Sequence, residues 1–351
     1  VWRTVAIAAA AIAATAGGAA GAFAWNNLTS AVRAERRVRD AGFREAHVVL
    51  PSGTRLNHVE GPDNGPAVLL LHGQGAAWES YARALPELAA DFHVFAIDVA
   101  GHGDSDRTRG RYDVHSIGRD VVDFLSDVVG EPVLLSGHSS GGLIAAWVAA
   151  TAPDRVRGVI FEDPPFFSTE PERMPRQFNF VDLALPAHEF LQQDETDDFA
   201  AWYIEHNGWI GYFGDGRDGI VRFAKTYRKR HPDGPLRLWF LPPNTNESFA
   251  HMHEFDPAFA DAFFSLTWQD GFDQAAILAR VARPSILVHA NWRITDAGIL
   301  EGAMTDEDAA RACDLLGDCV LERVDTGHGF HVEDPGRFVA LFHRLLERVD
   351  R

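Results

Sequence analysis

The stretch Pro132-Val-Leu-Leu-Ser-Gly-His-Ser-Ser-Gly-Gly-Leu-Ile-Ala-Ala-Trp147 decides the fold. Residues 133–135 are an apolar run that predicts a short buried strand, and residues 143–150 predict an alanine-rich helix. Between them Gly137, Ser139 and Gly141 form a G-x-S-x-G turn. A serine hydroxyl is a poor nucleophile until it is presented to a base. A sharp strand-to-helix turn lifts Ser139 out of a sheet, and the crowded backbone beside it needs the small residues Gly137 and Gly141. The amide of Ser140 then lies at a helix N-terminus, where it can stabilise an oxyanion. The motif alone also fits a glycine-rich turn without chemistry; strand before and helix after favour Ser139 as a nucleophile.

Upstream, residues 46–50 and 54–59 predict a hairpin turned by Pro51-Ser52-Gly53. Residues 67–71 predict a buried strand that runs into His72-Gly73-Gln74-Gly75. In a serine hydrolase such a loop supplies a second oxyanion donor, here the amide of Gln74. A helix over 80–90, a strand over 92–97, a glycine-containing loop from Asp98 to Asp106 and a helix over 115–129 lead to the opening stretch. A strand over 156–161 follows it and ends in Glu162-Asp163-Pro164-Pro165. After residue 272 the pattern resumes with strands over 283–290 and 320–324 and helices over 306–316 and 335–349. Alternating buried strands and amphipathic helices predict an α/β fold with a mostly parallel, doubly wound sheet.

Residues 166–272 break the alternation. These 107 residues hold 22 of the 38 aromatics, and helices are expected at about 186–193, 196–206, 217–230 and 256–270. The segment reads as a helical cap over the carboxyl edge of the sheet, where open α/β sheets bind ligands. Most of its aromatics form the cap's own core. Trp202, Trp209, Tyr212, Phe213, Trp239 and Trp268 are the candidates to line an apolar pocket. The expected division is a signal peptide or membrane anchor over 1–24, a linker or helix over 25–44, a core of 45–165 and 273–351, and the cap between.

The chain has 351 residues and a formal net charge of −18. That balance argues against nucleic acid or anionic membrane surfaces as partners, since both need a basic face. Residues 4–32 carry no charge, and residues 5–24 include twelve alanines. Arg3 before the run and Ala22-Phe23-Ala24 at its end suit an export signal. The run is also long enough for a weakly apolar membrane tether, although Arg33, Arg36, Arg37 and Arg39 follow it. An exported or membrane-anchored location is expected rather than a cytoplasmic one. Cys313 and Cys319 are spaced to close a short disulfide in an exported protein, or else remain two buried thiols. No zinc spacing accompanies them, and no metal or cofactor is expected.

Four motifs together resemble the α/β-hydrolase superfamily: His72-Gly73 after a strand, Asp98-x-x-Gly101-x-Gly103-x-Ser105, Gly137-x-Ser139-x-Gly141, and Gly327-His328 before the last helix. The resemblance runs from about residue 45 to the C-terminus and is weakest in the cap. It implies Ser139 as nucleophile and His328 as general base, with His138 and His331 structural. The triad acid is open. Most of the superfamily carries it after the strand equivalent to 285–289, where this chain has Asn291 and, further on, Asp296. Relatives such as haloalkane dehalogenases carry it where Asp163 falls. The order of preference is Asp163, Asp296, Glu162. The resemblance implies a serine hydrolase acting on a small apolar ester or lactone, and a serine at the elbow points away from epoxide hydrolysis and dehalogenation, whose enzymes use an aspartate there. A C–C bond hydrolase and a slow-turnover receptor of small molecules are the alternatives on this fold.

Overall fold

The computed structural model describes residues 2–351, with side chains from Gly18 onward. The strands are β1 Arg44–Val49, β2 Arg55–Glu60, β3 Ala67–Leu71, β4 His93–Ile97, β5 Val133–His138, β6 Val156–Glu162, β7 Ser285–His289, β8 Arg293–Ile294, β9 Leu300–Glu301 and β10 Cys319–Arg323. Eight form one sheet in the order β1-β2-β4-β3-β5-β6-β7-β10. β1 and β2 are antiparallel to their neighbours, and the six strands from β4 to β10 are parallel. β8 and β9 make a separate small hairpin.

The helices are α1 Trp2–Asp40, α2 Leu85–Leu88, α3 Val114–Phe124, α4 Ser140–Thr151, α5 Leu185–Gln192, α6 Phe199–His206, α7 Arg217–Arg230, α8 Pro243–Ala250, α9 Pro257–Phe264, α10 Gln274–Leu278, α11 Asp306–Leu316, α12 Phe330–Glu333 and α13 Pro335–Val349. Strand periodicity sorts the sheet's side chains into two cores. Leu69, Leu71, Val133, Leu135, Val159 and Phe161 meet α3, α4 and the cap. Val68, Leu70, Leu134, Ile160, Ile286 and Val288 meet Phe338, Phe342 and Leu345 of α13.

Several local expectations change. The helix expected over 80–90 is a 3₁₀ turn at Trp78–Tyr81 followed by α2, because Pro86 fits only a first helical turn. The helix expected over 256–270 stops at Phe264, where Leu266 turns left-handed at φ 64°. α8 lies in a polar stretch without a helical apolar period; buried Asn246 holds it by donating to the carbonyls of Leu238 and Leu241.

The expected leader or anchor over 1–24 falls largely outside the residues described with side chains. Among the described residues, no helix is long and apolar enough to cross a membrane. The later part of α1 docks on the protein. Ala34 and Val38 are buried, and buried Asn27 donates through Nδ2 to the Trp239 carbonyl at 2.9 Å. The disulfide joins Cys313 of α11 to Cys319 of β10, with Cα atoms 5.3 Å apart. It ties an edge strand to its neighbouring helix, and closing so short a loop stabilises by about 2 kcal/mol. The Cys313→Ser/Cys319→Ser variant is expected to lose that amount in a denaturant titration, and reductant should bring the wild type to the same midpoint.

Candidate active site

The site starts from the topology. From β3 the chain passes to β4 on one side, whereas from β5 it passes to β6 on the other. Open α/β sheets hold ligands in the crevice that such a reversal leaves at the carboxyl ends of the strands. His72-Gly73-Gln74 leaves β3 there, and Ser139 leaves β5. Ser139 has φ 54° and ψ −122° immediately before α4, a strained geometry for a residue with a Cβ. The turn closes because Gly137 and Gly141 have no side chains. A Cβ on Gly137 would sit 2.2 Å from the Gly141 carbonyl oxygen, and one on Gly141 would sit 2.3 Å from that of Leu71.

His328 follows β10 and lines the same cavity as Ser139. Its Nδ1 lies 2.7 Å from Asp163 Oδ2. Asp163 is buried just beyond β6 at φ 44°, and its Oδ1 accepts from the Ala290 amide at 3.1 Å. Burial pushes this carboxyl's pKa up, but the His289 and His328 side chains and the Ala290 amide outweigh it and hold the group at about 2. The structure thus brings Asp163 to His328, and the other two acids fall elsewhere. Asp296 is exposed in the turn between β8 and β9. Glu162 is the last residue of β6; its Oε1 accepts from the His331 amide at 2.8 Å and faces Nδ1 of that ring at 2.6 Å. Asn291 donates to Asp325 at 2.9 Å.

The supporting polar groups are assigned by their partners. The Val99 amide donates to His72 Nε2 at 3.0 Å, so the neutral ring carries its proton on Nδ1 and donates to the Gly73 carbonyl at 2.8 Å. Burial lowers the His72 pKa to about 4, in keeping with a neutral brace behind the Gln74 loop. Asp98 accepts from the amides of Trp78 and Asp104 and from Asn57, so the glycine loop that follows β4 is a structural turn. His138 donates through Nε2 to the His328 carbonyl at 2.9 Å. Burial lowers the His138 pKa to about 3, and the ring is neutral. Among the described residues, His138, Glu162 and His331 form the one group close enough to share a metal ion. Within it, Nδ1 of His331 bonds Glu162 and Nε2 of His138 bonds the His328 carbonyl, which ties the trio to the residue at 328.

The profile of the alpha/beta hydrolase fold family matches residues 66–335. The chain belongs to that family. Curated relatives include bifunctional epoxide hydrolase 2 of Sus scrofa, 34% identical over 140 residues, which are 39% of this chain and 25% of that protein. Epoxide hydrolase B of Mycobacterium tuberculosis is 38% identical over 120 residues, 32% of this chain and 34% of the relative. The aligned part thus spans only about a quarter to a third of these relatives' length. Among solved structures, a membrane phospholipase A described as a bacterial virulence factor superposes with a TM-score of 0.64 at 20% identity, covering 100% of both chains. The enol-lactonase of Burkholderia xenovorans superposes with a TM-score of 0.57 at 16% identity, covering 86% of this chain and 100% of its own.

On this hydrolase fold the cavity above Ser139 encloses about 640 Å³. Gln74 lines it from the β3 loop, and buried Ser140 begins α4. Of the aromatics expected at the pocket, Trp209 and Tyr212 line it. Trp268 stacks on Phe263 and packs at a tilt against Phe259 in the cap's core. Trp202 stacks on His206 and donates to the Pro186 carbonyl, away from the cavity. Trp239 is 47% exposed beside α1, and Phe213 packs against Trp209 from outside the lining. Phe178, Leu183, Met252, Ile299 and Val332 supply much of the apolar wall. At the rim, Glu301 of β9 takes hydrogen bonds from Tyr212 of the cap and Arg293 of β8. The hairpin's two-residue strands give no periodic signal in sequence.

Two predictions follow from the acids. Glu162→Ala leaves buried His331 without its partner and is expected to cost about 3–5 kcal/mol in urea unfolding, whereas exposed Asp296→Asn stays within about 0.5 kcal/mol of wild type. Asp163 has a folded pKa of about 2, below the ordinary 3.8, so its contribution is complete above the ordinary value and is lost as pH falls towards about 2. Wild type should therefore lose stability over that window more steeply than Asp163→Asn, as read from melting temperature against pH.

Proposed function

We propose that the protein is a serine hydrolase that cleaves an apolar carboxylic ester or lactone through an acyl-enzyme. The observation that carries this reading is the 2.7 Å contact of His328 with Asp163, on a histidine that shares the cavity of a positive-φ serine. With its Nδ1 proton donated to Asp163, His328 leaves Nε2 free to accept the Ser139 proton. The serine oxygen attacks the carbonyl carbon, and the carbonyl oxygen takes the negative charge, facing the amides of Gln74 and Ser140. His328 returns the proton to the departing alkoxide, which leaves as the alcohol. Water then attacks the acyl carbon, gives its proton to His328 and releases the acid, and Ser139 recovers its proton.

The epoxide hydrolases among the relatives raise a competing substrate class. A serine oxygen that opened an epoxide would leave an ether, which water does not readily cleave. An acyl-serine is an ester and turns over by the same chemistry that formed it. The apolar wall of Phe178, Leu183, Met252, Ile299 and Val332 favours an apolar acyl or alkyl group. The uncharged run over 4–32 and the Cys313–Cys319 disulfide support an exported or membrane-tethered protein.

The test is hydrolysis of p-nitrophenyl esters of increasing chain length. Ser139→Ala is expected to lose up to about 10⁶ in kcat, and Asp163→Asn about 10⁴, with Asp296→Asn unchanged. Wild type no faster than Ser139→Ala at every chain length would overturn the ester reading.

A further inference from the structure

His289, the last residue of β7, takes no part in the steps above. It is buried, at 2% exposure, between two carboxylates. Its Nε2 lies 2.9 Å from Asp306 Oδ1 at the head of α11. Its Nδ1 lies 3.8 Å from Asp163 Oδ1 and has no hydrogen-bond partner. Asp306 is half exposed and is itself held by Arg323 at 2.6 Å and by Trp292 Nε1 at 3.0 Å. The other oxygen of Asp163 is on His328. Asp306, His289, Asp163 and His328 therefore stand in one row that reaches from the surface to the cavity.

The charge state of the middle ring follows from its neighbours. A neutral imidazole has one N–H, so it would turn a lone pair towards one of the two carboxylates. The imidazolium gives its Nε2 proton to Asp306 and sets its positive charge 3.8 Å from Asp163 Oδ1. Burial opposes that charge, but Asp163 and Asp306 together outweigh it and raise the pKa of His289. The charged groups that face the ring are Asp163 from the end of β6 and Asp306 from α11, with Arg323 behind Asp306 and His328 behind Asp163.

We propose that His289 is a positioning residue for the triad acid: as an imidazolium between Asp163 and Asp306, it keeps the Asp163 carboxylate ionised and fixed towards His328. This rests on the reading of Asp163 as the acid. The geometry explains how a carboxylate can stay charged in so dry a place with few hydrogen bonds of its own. It also makes activity depend on a group that loses its charge on the alkaline side.

The test measures kcat/KM of the full chain on a p-nitrophenyl ester against pH, with His289→Gln, Asp306→Asn and Asp163→Asn. Wild type is expected to show an alkaline fall in kcat/KM as His289 deprotonates. His289→Gln should lack that limb and run roughly 3- to 30-fold slower on the plateau, the range for coupled residues in one network. Asp306→Asn removes one of the two anions and should move the limb to lower pH. A His289→Gln enzyme with wild-type rate and limb overturns the proposal. If that variant melts, the half-exposed Asp306→Asn decides, and an unmoved limb overturns it equally. An Asp163→Asn enzyme as active as wild type would instead remove the acid assignment, so the two failures are distinct.

Discussion

The site depends on keeping one carboxylate charged away from water. An isolated buried carboxylate is so costly that it would take up a proton. Asp163 avoids this through His328, the Ala290 amide and the nearby His289. His328 lies after β10 and the other two at the end of β7, so satisfying one charge fixes the end of β6, the end of β7 and the loop after β10 relative to one another. Its neighbour Glu162 does the same on the other side, gripping His331 three residues beyond His328. Two consecutive acids thus hold His328 and, at the start of α12, His331, which leaves the His328 ring little freedom to move.

Much of this was legible in the residues. The apolar runs that alternate with amphipathic helices carry the sheet, and the glycines around Ser139 carry the elbow. The choice of acid was open because relatives carry it either after the strand over 285–289, where Asp296 is the nearest acid, or after the strand that follows the elbow, where Glu162 and Asp163 are adjacent and alike in chemistry. A backbone turn at φ 44° sends the Asp163 side chain to His328, and no residue pattern announces that turn. The aromatics of the cap were harder still. Trp268 and Trp209 are the same residue type in the same segment, and only the packing of helices decides that one fills the cap while the other faces the cavity. His289 gave no signal, since a histidine at a strand end is ordinary until the two carboxylates beside it are located.

Polar contacts tie the cap to the sheet layer at several points. Buried Asp256 caps α9, takes a hydrogen bond from Tyr112 and pairs with Arg109, while its amide donates to the Gly101 carbonyl. Arg173 pairs with Asp308 on the far side. The glycine loop after β4 therefore serves as the landing for the cap, which gives its glycines a structural use.

α1 has a boundary written into its burial. No residue from Gly18 to Asn26 is buried, whereas Asn27, Ala34 and Val38 are. Among the described residues, the first buried side chain of the helix is Asn27. The second half of the helix is thus a strut of the folded domain, set against the back of α8, whose other side is cavity wall. The wall of the cavity thus takes its backing from residues beyond Asn26.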